Sequence, residues 1–160
     1  MQSSDETRTV VILIVEDEIL VRMSIADVLQ DAGYHIVEAR DGVEALALLE
    51  VRDDVAALLT DVSMPNMDGI SLAKIVSERW PGVGIVVTSG ALPPGVTLDL
   101  PSGARFVPKP YRPDTLLREI AAVVPAQGGA PIALQSIPTL QPGKLHGAGG
   151  IAQPLAEPDE

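Results

Sequence analysis

With 160 residues, no cysteine and a formal net charge of −11 at pH 7, the chain can form neither disulfides nor thiolate metal sites, which fits the reducing cytoplasm. Because a surface this acidic repels phosphate backbones, direct binding of nucleic acid is not expected. The N-terminus lacks a basic segment before an apolar stretch, and the apolar run at 10–15 is too short to span a bilayer, so neither a secretory signal nor membrane insertion is predicted.

Three short, unbroken apolar runs predict strands that are buried on both faces, as in a parallel sheet. They lie at 10–15, 55–59 and 83–87. Two weaker strands are predicted at 35–39 and 104–107.

Helical patterns separate most of these strands. Apolar residues after the first strand recur at spacings of four, three and four, and Gly33 follows them as a C-cap. Asp41 and Asp68 are placed to cap the second and third helices. Pro113 is placed where the last helix begins.

The alternation of strands and helices predicts right-handed βαβ units. Five such strands form a doubly wound, flavodoxin-like α/β sheet in the order 2-1-3-4-5. The segment between the fourth and fifth strands is an exception, because it contains Pro93, Pro94, Gly95, Pro101 and Gly103. Since proline interrupts helices, the fourth helix is expected to be short or missing.

The composition changes near residue 125. Residues 126–160 contain five prolines and six glycines and no Phe, Trp or Tyr. Such a segment cannot bury enough surface to offset the entropy lost on ordering its backbone. We therefore expect a disordered N-terminus at 1–9, one domain at 10–125 and a disordered tail at 126–160, with no output domain. An inert tail is favoured over a docking segment because it shows no anchor pattern.

Polar side chains lie at the carboxyl ends of four predicted strands. The first strand runs into Glu16 and Asp17, the third ends at Asp61, the fourth ends at Thr88 and Ser89, and the fifth runs into Lys109. Strands one and three are neighbours at the switch in strand order, and all these strand ends share one edge of the sheet. We therefore expect Glu16, Asp17 and Asp61 to converge, with Thr88 and Lys109 beside them.

Three carboxylates that crowd together repel one another, so one would protonate unless a cation balanced them. Oxygen ligands at a site open to water suit Mg²⁺. A carboxylate in such a site can accept a phosphoryl group as an acyl phosphate. Lys109 would supply a positive charge and Thr88 a hydroxyl donor. Each residue alone could be an ordinary helix-start, turn or surface residue, and only their joint placement favours a site.

The segment after the third strand resembles the phosphorylation loop of two-component response regulator receiver domains, D-x-x-M-P-x-M-D-G, and reads Asp61-Val62-Ser63-Met64-Pro65-Asn66-Met67-Asp68-Gly69. Three further segments resemble the acidic pair, the strand-four hydroxyl segment and the lysine-proline-aromatic segment of that family: Val15-Glu16-Asp17-Glu18, Val86-Val87-Thr88-Ser89-Gly90 and Val107-Pro108-Lys109-Pro110-Tyr111. The resemblance covers about residues 10–125, and the prolines after Thr88 resemble those of stand-alone bacterial receivers.

The resemblance implies roles for individual residues. Asp61 would be the phosphoacceptor, and Mg²⁺ would be held by Asp17, Asp61 and the backbone carbonyl of Ser63, with Glu16 acting mainly through a metal-bound water. Lys109 would pair with a phosphoryl oxygen. The resemblance further implies that Thr88 reorients toward that group, that Phe106 occupies the aromatic switch position and that the Lys109–Pro110 bond can be cis. Packing in the core is an equal alternative for Phe106.

The resemblance also implies the class of function. The phosphodonor would be a histidine kinase or a histidine phosphotransfer protein, and phosphorylation would change the affinity for an unknown protein target. The chain would be a monomer or weak dimer and a signalling phosphoacceptor rather than an enzyme. A phosphate sink for a sensor kinase and a phosphorylation-independent scaffold remain alternatives. A small phosphatase is less favoured, since such enzymes carry an acid two residues after the nucleophile, where this chain has Ser63.

Overall fold

The computed structural model describes residues 9–92 and 98–125. Its parallel strands pair in the order β2-β1-β3-β4-β5, which confirms the predicted doubly wound α/β fold. The strands are β1 (Val11–Val15), β2 (His35–Ala39), β3 (Val55–Asp61), β4 (Gly84–Ser89) and β5 (Arg105–Pro108). The helices in this part of the chain are α1 (Ile19–Asp31), α2 (Gly42–Val51), α3 (Gly69–Arg79) and α4 (Pro113–Val123). Of the segments expected to be disordered, 1–9 and 126–160, all residues except residue 9 lie outside the described part of the chain.

The residues predicted to lie at helix ends do lie there. Asp41 and Asp68 each accept a hydrogen bond of 2.8 Å from the backbone N–H three residues further on. Gly33 follows α1 with a φ of 99°, a left-handed conformation that glycine adopts without steric cost. Pro113 occupies the first turn of α4. Over residues 9–92 and 98–125, none of the helices has the length and apolarity that crossing a membrane would require.

Strand β1 lies between two apolar clusters, one on each face of the sheet. Val11, Leu13 and Val15 pack into the cluster beneath α2 and α3, whereas Ile12 and Ile14 pack into the cluster beneath α1 and α4. The strand is bonded to β2 on one side and to β3 on the other. Because both faces and both edges of β1 are covered, its carboxyl end is held firmly in the middle of one edge of the sheet.

The connection from β4 to β5 departs from the regular alternation, as predicted. Its described residues, 90–92 and 98–104, form no helix, and residues 93–97 lie outside the described part. Leu92, Leu98 and Leu100 nevertheless pack against the cluster beneath α2 and α3. Irregular chain therefore covers this side of the sheet beside β4.

A close approach of two backbones at Gly84 yields a test of the packing. A β-carbon at Gly84 would overlap the backbone carbonyl of Val123 at the end of α4, whereas a β-carbon at Gly82 would meet nothing within 4 Å. We expect Gly84→Ala to lower the free energy of unfolding by about 1–3 kcal/mol, as overpacking does. The control Gly82→Ala should be neutral or slightly stabilising. Urea denaturation measures both, and equal midpoints would show that the end of α4 moves aside without cost.

Candidate functional site

The three acidic residues predicted to converge do meet at the carboxyl edge of the sheet. Glu16 and Asp17 follow β1, and Asp61 ends β3. The two strands are direct neighbours, with Val15 paired to Thr60. Each of the three acids offers one carboxylate oxygen, and these oxygens all lie within 4.8 Å of one another. We call this group the acidic cluster.

Glu16 is the most deeply buried member of the acidic cluster, with 3 % of its surface exposed. Its Oε2 atom is buried and has no hydrogen-bond partner among the residues described. Burial raises the pKa of Glu16; the charge of Lys109 opposes this effect, and the charges of Asp61 and Asp17 add to it. Since buried polar atoms nearly always have a partner, this orphaned oxygen fits a site that holds a cation or an ordered water.

Lys109 brings the positive charge that the sequence predicted. Its backbone N–H donates to Ser89 O at 2.9 Å, which continues the pairing of β5 with β4. Its Nζ lies 3.5 Å from Glu16 Oε1 and 3.6 Å from Asp61 Oδ1. Burial raises the pKa of Asp61, and the Lys109 charge counteracts this only in part. One ammonium is thus shared by two of the three acids.

The Lys109–Pro110 peptide bond is cis, as the resemblance implied.

The backbone that follows Asp61 is fixed by short contacts at both ends of the loop. Val62 N–H donates to Thr88 O at 2.9 Å, and Gly69 N–H donates to Val62 O at 2.9 Å. A β-carbon at Gly69 would overlap the carbonyl oxygen of Asp61, so glycine allows α3 to begin directly against the end of β3. Asn66 adopts a φ of 69°, which asparagine tolerates better than most residues. The loop therefore holds Asp61 in a defined position.

The other predicted site residues lie at or near this edge in different environments. Thr88 pairs with Asp61 across β3 and β4 and is buried. Its hydroxyl donates a long hydrogen bond of 3.5 Å to Thr60 O. Phe106 is partly buried and packs against the cluster beneath α2 and α3. Ser63 is exposed in the loop after β3.

Two residues beside the acidic cluster had no predicted role. Burial raises the pKa of Tyr111 to about 12, with further contributions from the charges of Glu16 and Asp61. Tyr111 carried a signal in the sequence, because it is the aromatic residue of the lysine-proline-aromatic segment. Arg22 carried none. This α1 residue donates from Nη1 to the backbone carbonyl of Glu16 at 2.7 Å, a contact that only the folded chain creates.

Comparison with known proteins agrees with this geometry. Residues 12–121 match the family model described as the response regulator receiver domain. The response regulator receiver protein CpdR of Brucella abortus is 34 % identical over 111 residues, which are 68 % of this chain and 92 % of CpdR.

Two further proteins resemble this chain over more than two thirds of its length. Sensor kinase CckA of Brucella abortus is 34 % identical over 126 residues, which are 77 % of this chain but only 13 % of that kinase. The crystal structure of the response regulator protein TrrA of Thermotoga maritima, in complex with Mg²⁺ and BeF, has a TM-score of 0.65 at 25 % identity. That comparison covers 72 % of this chain and 100 % of TrrA. The chain belongs to the response regulator receiver domain family.

Proposed function

We propose that this chain is a phosphoacceptor of a two-component phosphorelay, in which phosphorylation of Asp61 changes the affinity for a partner protein. One observation carries the proposal. The carboxylate of Asp61 lies at the carboxyl edge of the sheet within 4.8 Å of ligand oxygens of Glu16 and Asp17, and 3.6 Å from the ammonium of Lys109. This is the set of groups that an aspartyl phosphate requires.

The acidic cluster fits Mg²⁺ as the cofactor. Asp17, Asp61 and the backbone carbonyl of Ser63 would be direct ligands, and Glu16 would act mainly through a metal-bound water. Oxygen ligands that are few in number suit this ion, which keeps several waters. The orphaned Oε2 of Glu16 is an acceptor that such a water would satisfy. When bound, Mg²⁺ supplies neutralising charge to the oxygens of a phosphoryl group.

Asp61 would act as the nucleophile. One of its carboxylate oxygens attacks the phosphorus atom of the donor, the bond from phosphorus to the donor atom breaks, and an acyl phosphate forms. Lys109 would then pair with a phosphoryl oxygen. The hydroxyl of Thr88 would leave its 3.5 Å bond to Thr60 O for a phosphoryl oxygen, because a charge-assisted bond is stronger than a long neutral one. Phe106, which is only partly buried, would follow Thr88 inward as the switch residue.

The partners follow from the same chemistry. We propose a histidine kinase or a histidine phosphotransfer protein as the phosphodonor and an unidentified protein as the target, in the cytoplasm and without nucleic acid. The likeness to CpdR and to sensor kinase CckA supports this assignment. The chain would act as a monomer or weak dimer, and its own chemistry would be limited to phosphoryl uptake and hydrolysis.

Asp61→Asn tests the phosphoacceptor. With acetyl phosphate and Mg²⁺, the wild-type chain should gain one phosphoryl group in intact-mass spectra, and a chelator should abolish the gain. The variant should gain none, since an amide does not replace the carboxylate nucleophile. Asp53→Asn changes an exposed acid before β3 and should leave uptake unchanged. An adduct that persists in Asp61→Asn would place the phosphoacceptor elsewhere. A wild-type chain that never gains the group would favour the scaffold alternative.

Lys109→Gln tests the charge that faces the transferred group. We expect phosphoryl uptake to slow on the order of a hundredfold, the effect of removing one preorganised electrostatic contact from an enzyme active site. Lys74→Gln is the matched control, since Lys74 pairs with Asp99 on the exposed surface at 2.9 Å. A time course of adduct formation by mass spectrometry gives both rates. Equal rates for the two variants would remove Lys109 from the transfer.

Repulsion within the acidic cluster also predicts an effect on stability. Burial, opposed by Lys109, raises the pKa of both Glu16 and Asp61, so the folded chain holds these protons more tightly than the unfolded chain. Stability from such a group is present at low pH and is lost as the pH rises through its folded pKa. Without Mg²⁺, Asp61→Asn should therefore be more stable than the wild-type chain at pH 7. The difference should shrink as the pH is lowered to about 4, near the ordinary pKa of an aspartate, because protonation of Asp61 removes the repulsion.

Thermal unfolding at both pH values, with and without Mg²⁺, measures these effects. At pH 7, Mg²⁺ should raise the unfolding midpoint of the wild-type chain more than that of Asp61→Asn, because a ligand stabilises the state that binds it. If the wild-type chain and Asp61→Asn had the same unfolding midpoint under each of the four conditions, Asp61 would neither be repelled by its neighbours nor contribute to Mg²⁺ binding.

A further inference from the structure

We infer that Arg22 is a positioning residue for the magnesium site: its guanidinium, oriented by Glu38, fixes the backbone carbonyl of Glu16 and thereby holds Glu16 and Asp17 against Asp61. The inference rests on the proposed Mg²⁺-dependent phosphorylation of Asp61. It assigns a role at that site to a residue outside the acidic cluster and its lysine.

Arg22 connects three elements of the fold. From α1, its Nη1 donates to Glu16 O at 2.7 Å, directly after β1, and its Nε donates to Glu38 Oε1 on β2 at 3.1 Å. The Arg22 side chain is 17 % exposed, against 45 % for Glu38. A bond to a charged donor is stronger where water is largely excluded, so the contact with Glu16 O outweighs an ordinary surface ion pair.

Helix α1, unlike α2 and α3, begins without a side-chain cap. Glu18 stands at its N-cap but makes no side-chain capping bond, and the first turn contains no acidic residue. In α2 and α3, by contrast, an aspartate caps the helix. The bond from Arg22 to Glu16 O does not satisfy the free N–H groups of this first turn, but it ties α1 to the residue that follows β1. It also closes the short linker at 16–18 back onto the helix that follows.

The contact controls where the acidic side chains point. Glu16 N–H donates to Ala39 O at 3.1 Å, so both backbone polar groups of Glu16 are held, one by β2 and one by α1. The carbonyl of Glu16 and the N–H of Asp17 belong to the same planar peptide unit. A bond that fixes the carbonyl therefore fixes the plane from which the Asp17 side chain departs.

Arginine suits this role better than lysine. The guanidinium is planar and donates in several fixed directions, so one side can serve a carbonyl while another serves a carboxylate. A lysine would retain the charge without this fork. Arg22 donates in two of these directions. One bond goes to the backbone carbonyl of Glu16, just after β1, and the other goes to the carboxylate of Glu38 on β2.

The sign of the effect on Mg²⁺ affinity separates positioning from charge. Removing a positive charge beside three carboxylates strengthens the attraction for a cation by Coulomb's law. If Arg22 acted only through its charge, Arg22→Ala would bind Mg²⁺ more tightly. If Arg22 positions the ligands, the same substitution weakens binding despite the more favourable charge. Weaker binding is the result that we expect.

The test compares Arg22→Ala, Arg22→Lys and the control Arg52→Ala. The control removes the same charge from an ion pair of 2.8 Å with Asp54 elsewhere on the surface. Titration calorimetry gives the Mg²⁺ dissociation constant, and acetyl phosphate uptake at increasing Mg²⁺ gives the half-maximal concentration and the saturated rate. All measurements are made well below the unfolding midpoint of each variant.

Arg22→Ala should raise the dissociation constant about tenfold, the lower end of the effects seen for residues that orient metal ligands. Its uptake rate at saturating Mg²⁺ should return to the wild-type value, because the reacting groups are intact. Arg22→Lys should fall between Arg22→Ala and the wild-type chain, and Arg52→Ala should match the wild-type chain.

Several results would overturn the inference. These are an unchanged or tighter Mg²⁺ affinity in Arg22→Ala, an equal loss in Arg52→Ala, or an uptake rate that stays low at saturating Mg²⁺. If the wild-type chain binds Mg²⁺ and takes up phosphoryl while Arg22→Ala behaves identically, only the role of Arg22 is wrong. If the wild-type chain binds no Mg²⁺, the proposed function fails, and the role of Arg22 fails with it.

Discussion

Electrostatic repulsion among three carboxylates is the constraint around which the carboxyl edge of this sheet is built. Direct pairing of β1 with β3 places Glu16 and Asp17 beside Asp61, an arrangement that like charges oppose. The fold sustains it because β1 is covered on both faces and paired on both edges, so its end cannot move away. The packing and pairing of β1 therefore offset the unfavourable free energy of repulsion among the acids.

The compensation for that repulsion is incomplete, and this fits the proposed chemistry. Lys109 lies 3.5 Å and 3.6 Å from two of the acids, at ion-pair distance but beyond a strong hydrogen bond. Glu16 retains a buried oxygen without a partner in the described part of the chain, and Thr88 makes only a long bond to the neighbouring strand. A fully satisfied network would gain little from an added cation or phosphoryl group. Because the hydrogen bonding of Glu16, Thr88 and Lys109 is incomplete, these residues can still bind a cation or a phosphoryl group.

Much of the fold and all of the acidic cluster could be predicted because they depend on local patterns and one topological rule. Apolar runs marked the strands, and the strand order brought their ends together. The predicted ends of the third and fourth strands were also correct. β3 and β4 continue to Asp61 and Ser89, two residues beyond the apolar runs, because backbone pairing persists where the side chains become polar. The contact of Arg22 with Glu16 O could not be predicted, since it depends on the relative placement of α1, β1 and β2.

The distribution of buried polar residues explains why the site is confined to one edge. Apart from Tyr34, whose buried hydroxyl lies just before β2, the buried polar or charged residues within 9–92 and 98–125 are Glu16, Thr60, Thr88 and Ser89. All four lie at or just past the carboxyl ends of β1, β3 and β4. Burying a polar group is unfavourable unless it finds a partner, so a sheet selected for stability alone would place apolar residues there, as it does along the rest of these strands. The four residues lie at the edge that holds Asp61. This placement is expected if they are retained for the proposed reaction rather than for stability. It also explains why the apolar pattern ends, while the strands continue, at the residues proposed to carry the chemistry.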